Sequence, residues 1–215
     1  MRSPQAAPGE LELVRRFVNT RNIEKGTDEL STPEGVTSWF RGLEARGGPD
    51  ESAGPVPAAA AATTHEVREV REVREALRAA LLANHNDSGV DDASLAILNR
   101  AARRGSLGVT FSPDGWEPTA RTTGIEGAIG HLLAIVVRAM ADGTWGRLKA
   151  CLDDECQWAF YDHSNARSSK WCDMRVCGNR AKQKAWRARR AAATTEQAPQ
   201  RQHGAGRERG TGKRT

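Results

Sequence analysis

A chain of 215 residues with 38% hydrophobic and 27% charged residues allows one ordinary domain, or one domain and a small module, but is too polar to pack throughout. Its net charge of +5 permits a polyanionic partner. No run reaches eighteen apolar residues, and residues 1–10 lack an apolar stretch of signal-peptide length, so neither a membrane span nor export is expected and the location reads as cytoplasmic.

Residues 1–9 are rich in Pro, Gly and Ala and read as a disordered end. Leu13 with Phe17, and Val14 with Val18, recur at spacing four, which predicts an amphipathic helix beginning near Leu11. Thr32 then predicts a helix cap with Pro33 at the first helical position, and Val36, Trp39, Phe40 and Leu43 form the buried stripe. Residues 46–64, with a run of five alanines from Ala58 to Ala62 and several prolines and glycines, read as a flexible insertion. A helix follows from about His65 to Ala83. Val67, Val70, Val73, Leu77 and Leu81 fall within a roughly 120° arc, and the Val-Arg-Glu triplet recurs three times. Arg68 with Glu72 and Arg71 with Glu75 are expected to support the outer face.

Residues 84–89 are a turn. Asp91 or Asp92 should cap a short helix with Leu95, Ile97 and Leu98 inward. Leu107, Val109 and Phe111 alternate as in a strand, Ser112–Gly115 is a turn, and Trp116 starts a return strand. From Gly124 to Ala141 Ile125, Ile129, Leu132, Val136 and Met140 share one helix face, widened by Leu133 and Val137. The chain to residue 142 therefore reads as a mainly helical domain with one β-hairpin.

The charge is unevenly divided. Residues 147–215 hold sixteen Lys/Arg against seven Asp/Glu, and residues 1–146 sixteen against twenty, which places any polyanion contact in the second part. That part also holds every cysteine: Cys151, Cys156, Cys172 and Cys177. Two C-x4-C pairs separated by fifteen residues can supply a closed tetrahedral thiolate site, which predicts one structural zinc ion. His163 is the rival ligand, but four cysteines complete the site without it. The aromatic stretch Gln157–Tyr161 reads as a strand, and the module as a hairpin followed by a helix, with metal in place of a core.

After Cys177 the chain carries Asn179, Arg180, Lys182, Gln183, Lys184, Arg187, Arg189 and Arg190 in a helical pattern with a narrow alanine strip. Dense cations on one helix suit phosphate contact, and Asn, Arg and Gln are able to read base edges, so these eight residues are the candidate contacts to double-stranded DNA. Trp186 could wedge, stack or pack. Residues 193–215 read as a disordered basic tail.

The string Trp171–Lys182, with Cys172-Asp173-Met174-Arg175-Val176-Cys177-Gly178-Asn179-Arg180 at its centre, resembles the signature of the bacterial CGNR zinc-finger family, and Cys151 to Ser164 matches that pattern too. Phe17-Val18-Asn19-Thr20, Leu30-Ser31-Thr32-Pro33-Glu34 and Trp39 are similar to the ABATE domain that precedes this finger. The resemblance implies zinc at Cys151, Cys156, Cys172 and Cys177, a DNA-binding finger, and a role in stress-induced transcription regulation.

The fold class is thus mainly α with a small β-hairpin (α+β). A helical domain over 10–142 precedes a four-cysteine zinc finger of hairpin-then-helix type over 145–192. The expected function is a zinc-dependent DNA-binding transcription regulator, nucleoid-associated when bound. One small finger makes few contacts, so a homodimer or an auxiliary contact is expected, and the N-terminal domain is left for dimerisation or for sensing a small-molecule effector. A protein-interaction adaptor and a small-molecule sensor without DNA readout are the alternatives. No enzyme is expected: Asp28, Glu29, Asp91, Asp92 and His131 form no catalytic pattern, and no phosphate-binding glycine loop is present.

Overall fold

The computed structural model describes residues 6–44, 61–86 and 89–196, with the side chains of 43–44 and 192–196 left aside. The expectations for residues 1–5, for most of the 46–64 insertion, for Leu43 and for the tail beyond 196 lie outside the described residues. Two compact units divide at residues 179 and 180.

The first unit is α+β, with three two-stranded antiparallel hairpins among the described residues. Helix α1 (Leu11–Val18) buries Leu11, Val14, Phe17 and Val18. A two-residue hairpin follows, β1 (Arg21–Asn22) with β2 (Thr27–Asp28), which periodicity could not show at that length. Thr32 caps α2 (Pro33–Glu44) as expected, its hydroxyl accepting from the Gly35 N–H at 3.1 Å. Phe17, Trp39 and Phe40 form an aromatic cluster, with Trp39 edge-on to Phe40 at 4.9 Å between centroids.

Helix α3 (Thr64–Ala83) begins with a capping box between Thr63 and Glu66, and Ala62 before it is buried and donates to the Thr37 hydroxyl at 2.9 Å. Order therefore resumes inside the stretch read as insertion. Likewise Ala7, within the stretch read as disordered, is buried, and its N–H is held by the Glu12 carboxylate at 2.8 Å. Of the two ion pairs expected on α3, Arg68–Glu72 forms at 3.8 Å, but Arg71 turns to Asp28. Glu75 instead receives Arg74 and Arg78, both buried.

Asp91 caps α4 (Asp92–Arg104), accepting from Ser94 at 2.9 Å. Ile97 and Leu98 are half-buried, while Leu95 faces out, contrary to expectation. The hairpin β3 (Gly108–Ser112) with β4 (Gly115–Thr119) places Phe111 opposite Trp116, and both project into solvent, Phe111 at 81% exposure.

Helix α5 (Gly124–Ala141) is the centre of the core and buries eleven residues. The expected face holds except at its end, where Met140 and Val137 are exposed. By length and mean hydropathy this helix is apolar enough to cross a bilayer, which the criterion of an uninterrupted apolar run missed. Most of its apolar side chains are buried, and it packs against α1, α4 and β4. At its first turns α5 meets α4 backbone to backbone: a Cβ added to Gly130 would lie 3.1 Å from the Cα of Gly105 and 2.7 Å from the Cβ of Ala120.

The last hairpin, β5 (Leu148–Ala150) with β6 (Ala159–Tyr161), is buried at every position. Leu148, Ala150, Ala159 and Tyr161 belong to the same hydrophobic cluster as α1, α3 and α5. The core thus runs on past residue 142, where sequence composition had suggested a boundary. Helix α6 (Asn179–Glu196) follows, and from Arg180 onward it makes up the second unit.

Candidate metal centre and basic helix

The four cysteines are drawn together by two tight turns. Cys151 closes β5, its N–H donating to the Trp158 carbonyl at 3.0 Å. The chain then turns on the Asp153 carbonyl, which accepts from Cys156 and Gln157, with Gln157 in the left-handed region at φ +47°. Leu152 donates to Lys170, which brings the second pair alongside the first. In the second turn the Asp173 carboxylate accepts from Arg175 and Val176, and its carbonyl accepts from Cys177 and Gly178.

All four sulfur atoms lie within 4.8 Å of one another. Cys172 Sγ is 3.6 Å from Cys156 Sγ and 3.8 Å from Cys177 Sγ. A disulfide needs about 2.05 Å. A zinc–thiolate tetrahedron with bonds of about 2.3 Å has sulfur–sulfur edges of about 3.8 Å. The cluster fits one structural zinc ion and not a pair of disulfides. Cys151, Cys156 and Cys177 are buried, Cys172 is half-buried, and Trp158 and Trp171 pack around them.

The electrostatics agree. Hydrogen bonds from Cys156 and Cys172 pull Cys151 down to about 3, whereas Cys156 and Cys172 are pushed up chiefly by their hydrogen bonds with Cys151. Cys177 is pushed up first by burial and then by the charge on Cys151. Four thiols held this close oppose one another's ionisation, and a divalent cation would offset that repulsion.

His163 is not part of the cluster. Its Nε2 donates to the Ala6 carbonyl at 2.9 Å, and its ring meets Tyr161 edge-on. Nearby, the buried Lys149 ammonium donates to Asp162 at 3.0 Å and to the Arg167 carbonyl. Ser164 and Ser169 also donate to Asp162, fixing the loop between the two cysteine pairs.

The N-terminal elements grip this module through polar side chains that sequence reading passed over. Asn19 bonds Ala159. Arg78 donates to the carbonyls of Gln157, next to Cys156, and Val18, at 2.7 and 2.8 Å. Asn84 donates to Trp145 and Leu148, and His85, taken from sequence as a turn residue, donates to the Ala150 carbonyl at 2.6 Å. Asn19 lies within the Phe-Val-Asn-Thr string, the one sequence signal that pointed at it.

In the first unit Asn179 is exposed, and its side-chain amide donates to the Arg175 carbonyl at 2.9 Å. In the second unit, Arg180 is half-buried and Lys182, Gln183, Lys184, Arg187, Arg189 and Arg190 are exposed. Arg190 lies over the Trp186 ring at 4.8 Å, and Trp186 is itself half-exposed. From Arg180 to Arg190 there are six cations and no acidic residue.

Residues 147–190 match the model of the CGNR zinc finger. Residues 11–143, more than half of the chain, match the ABATE model, described as "Putative stress-induced transcription regulator". The chain belongs to the ABATE family. Neither description names an enzymatic activity, and both agree with a zinc-binding regulator. No curated protein matches the chain.

Proposed function

We propose that this ABATE-family protein is a transcription regulator that binds double-stranded DNA through α6, with zinc at Cys151, Cys156, Cys172 and Cys177 holding the finger and the N-terminal domain acting as sensor. The observation that carries this reading is the run of six cations without an acid, its side chains mostly exposed. Such a helix gains affinity by releasing counterions from DNA, while Asn179, Arg180 and Gln183 are of types that hydrogen-bond base edges. The zinc ion would supply folding free energy and no chemistry, since four thiolates leave no open coordination position. In this reading the protein works in the cytoplasm and sits on the nucleoid when bound.

The test is fluorescence anisotropy of labelled duplex DNA across a salt series. Affinity should fall with a log–log slope between about −3.6 and −5.4 for four to six phosphate contacts. The variant Arg180→Ala/Lys184→Ala/Arg187→Ala should bind at least tenfold more weakly. A flat salt response, or unchanged binding by the variant, would overturn the reading.

A further inference from the structure

Between β1, α3 and the first two turns of α4 lies an open groove of about 460 Å³. Four arginines line it, Arg21, Arg68, Arg71 and Arg74, against two glutamates, Glu72 and Glu75. Their pairings differ in quality. Arg74 is buried and bidentate to Asp28, at 2.6 and 2.9 Å. The other three hold their acids loosely: Arg21 to Glu75 and Arg71 to Asp28 at 3.4 Å, Arg68 to Glu72 at 3.8 Å. Glu72 is instead taken at 2.9 Å by Arg100. The side chains of Arg21, Arg68 and Arg71 form no hydrogen bond among the described residues, so three guanidinium forks face the groove with donors to spare. The local field is positive: burial opposes ionisation of Asp28 and Glu75, yet the guanidiniums around them hold both below the usual carboxylate range.

We propose that this groove binds a small polyvalent oxyanion, a phosphorylated or multiply carboxylated molecule, through Arg21, Arg68 and Arg71. Planar forks that can each give two N–H bonds match phosphate and carboxylate oxygens. The groove is also linked to the finger. Glu75 is shared by Arg21, Arg74 and Arg78, and Arg78 holds the Gln157 carbonyl beside Cys156. An anion that orders the arginines around Glu75 binds only while that network is intact. It therefore disfavours openings that free Gln157, and zinc should leave more slowly. This link, though not the binding itself, rests on the reading of the N-terminal domain as a sensor.

The test is isothermal titration calorimetry of the full chain with pyrophosphate and, separately, citrate, at constant ionic strength and without DNA. One of the two should bind saturably at one site, the better probe showing whether phosphate or carboxylate is preferred. Arg68→Gln/Arg71→Gln should weaken binding tenfold or more, with thermal melting in the absence of anion as a check of folding. Arg103→Gln, exposed on α4 away from the groove, should leave it unchanged. No saturable heat with either anion, or equal binding by the double variant, overturns the site. With the zinc-loaded protein, the bound anion should slow stripping of zinc by a chromogenic chelator. An unchanged rate overturns the link to the finger. Neither readout requires DNA binding, so loss of the DNA reading and loss of this one are distinguishable.

Discussion

Asn19 satisfies the backbone of Ala159 in both directions, donating to its carbonyl at 2.9 Å and accepting from its N–H at 2.7 Å. A side chain just after α1 thus does for β6 what a neighbouring strand would do, across 140 residues of sequence. Truncation to alanine would leave a buried N–H and a buried carbonyl without partners, each costing about 1–3 kcal/mol. Asn19→Ala should therefore lower stability by about 3 kcal/mol in urea denaturation. A change below about 0.5 kcal/mol would show that the pairing is replaceable.

The cysteine cluster predicts one zinc per chain in protein purified without chelator. Cys172→Ser should lose the metal and the ordered fold of residues 151–178, read by elemental analysis and by near-ultraviolet circular dichroism of Trp158 and Trp171. Because protons compete with zinc for thiolates, affinity should fall as the pH is lowered. Metal content that is independent of Cys172 would refute the site.

Asp162 offers a pH test. Burial works against its charge, but hydrogen bonds from Ser164, Lys149 and Ser169 hold its carboxyl well below the usual carboxylate range. A depressed folded pKa means that its stabilisation is complete above the unfolded value, about 3.9, and is lost as pH falls below it towards the folded value. Asp162→Asn strands the buried Lys149 ammonium and should cost about 3–5 kcal/mol at neutral pH. The gap between variant and parent should narrow in acid, and a gap that is constant with pH would argue against the ion pair.

Gly130 predicts a steric cost without any chemistry. The atoms a Cβ would strike include the backbone of Gly105, which cannot rotate away. Gly130→Ala should destabilise by about 1–3 kcal/mol through overpacking, with no change in zinc content. A neutral result would mean that α4 and α5 separate freely.

What the sequence made legible follows from the range of the interaction. The cysteine quartet and the Thr32 and Asp91 caps are local patterns, and each appears where spacing placed it. The arginines of α3 do not share one face, for a geometric reason. A residue repeating every three positions advances about 300° per step, lagging a helix turn by about 60°. Side-chain exposure accordingly falls from 67% at Arg68 through 48% at Arg71 to 1% at Arg74, as the stripe rotates from solvent into the core. A strand-like alternation likewise found the β3–β4 hairpin but could not say that Phe111 points outward. The hold of Asn19, Arg78 and His85 on the finger leaves no periodic trace, because it joins residues 65 to 140 positions apart.

The buried β5–β6 hairpin makes the finger a poor candidate for transplantation. Leu148, Ala150, Ala159 and Tyr161 finish a core whose other walls are α1, α3 and α5, so a fragment starting at residue 145 would carry those side chains into water without their neighbours. A chimera meant to give this finger a different N-terminal partner would need to bring Asn19, Arg78, Asn84 and His85 with it, which amounts to bringing the original one. The metal-holding hairpin and the helices ahead of it share, in this chain, one hydrophobic core.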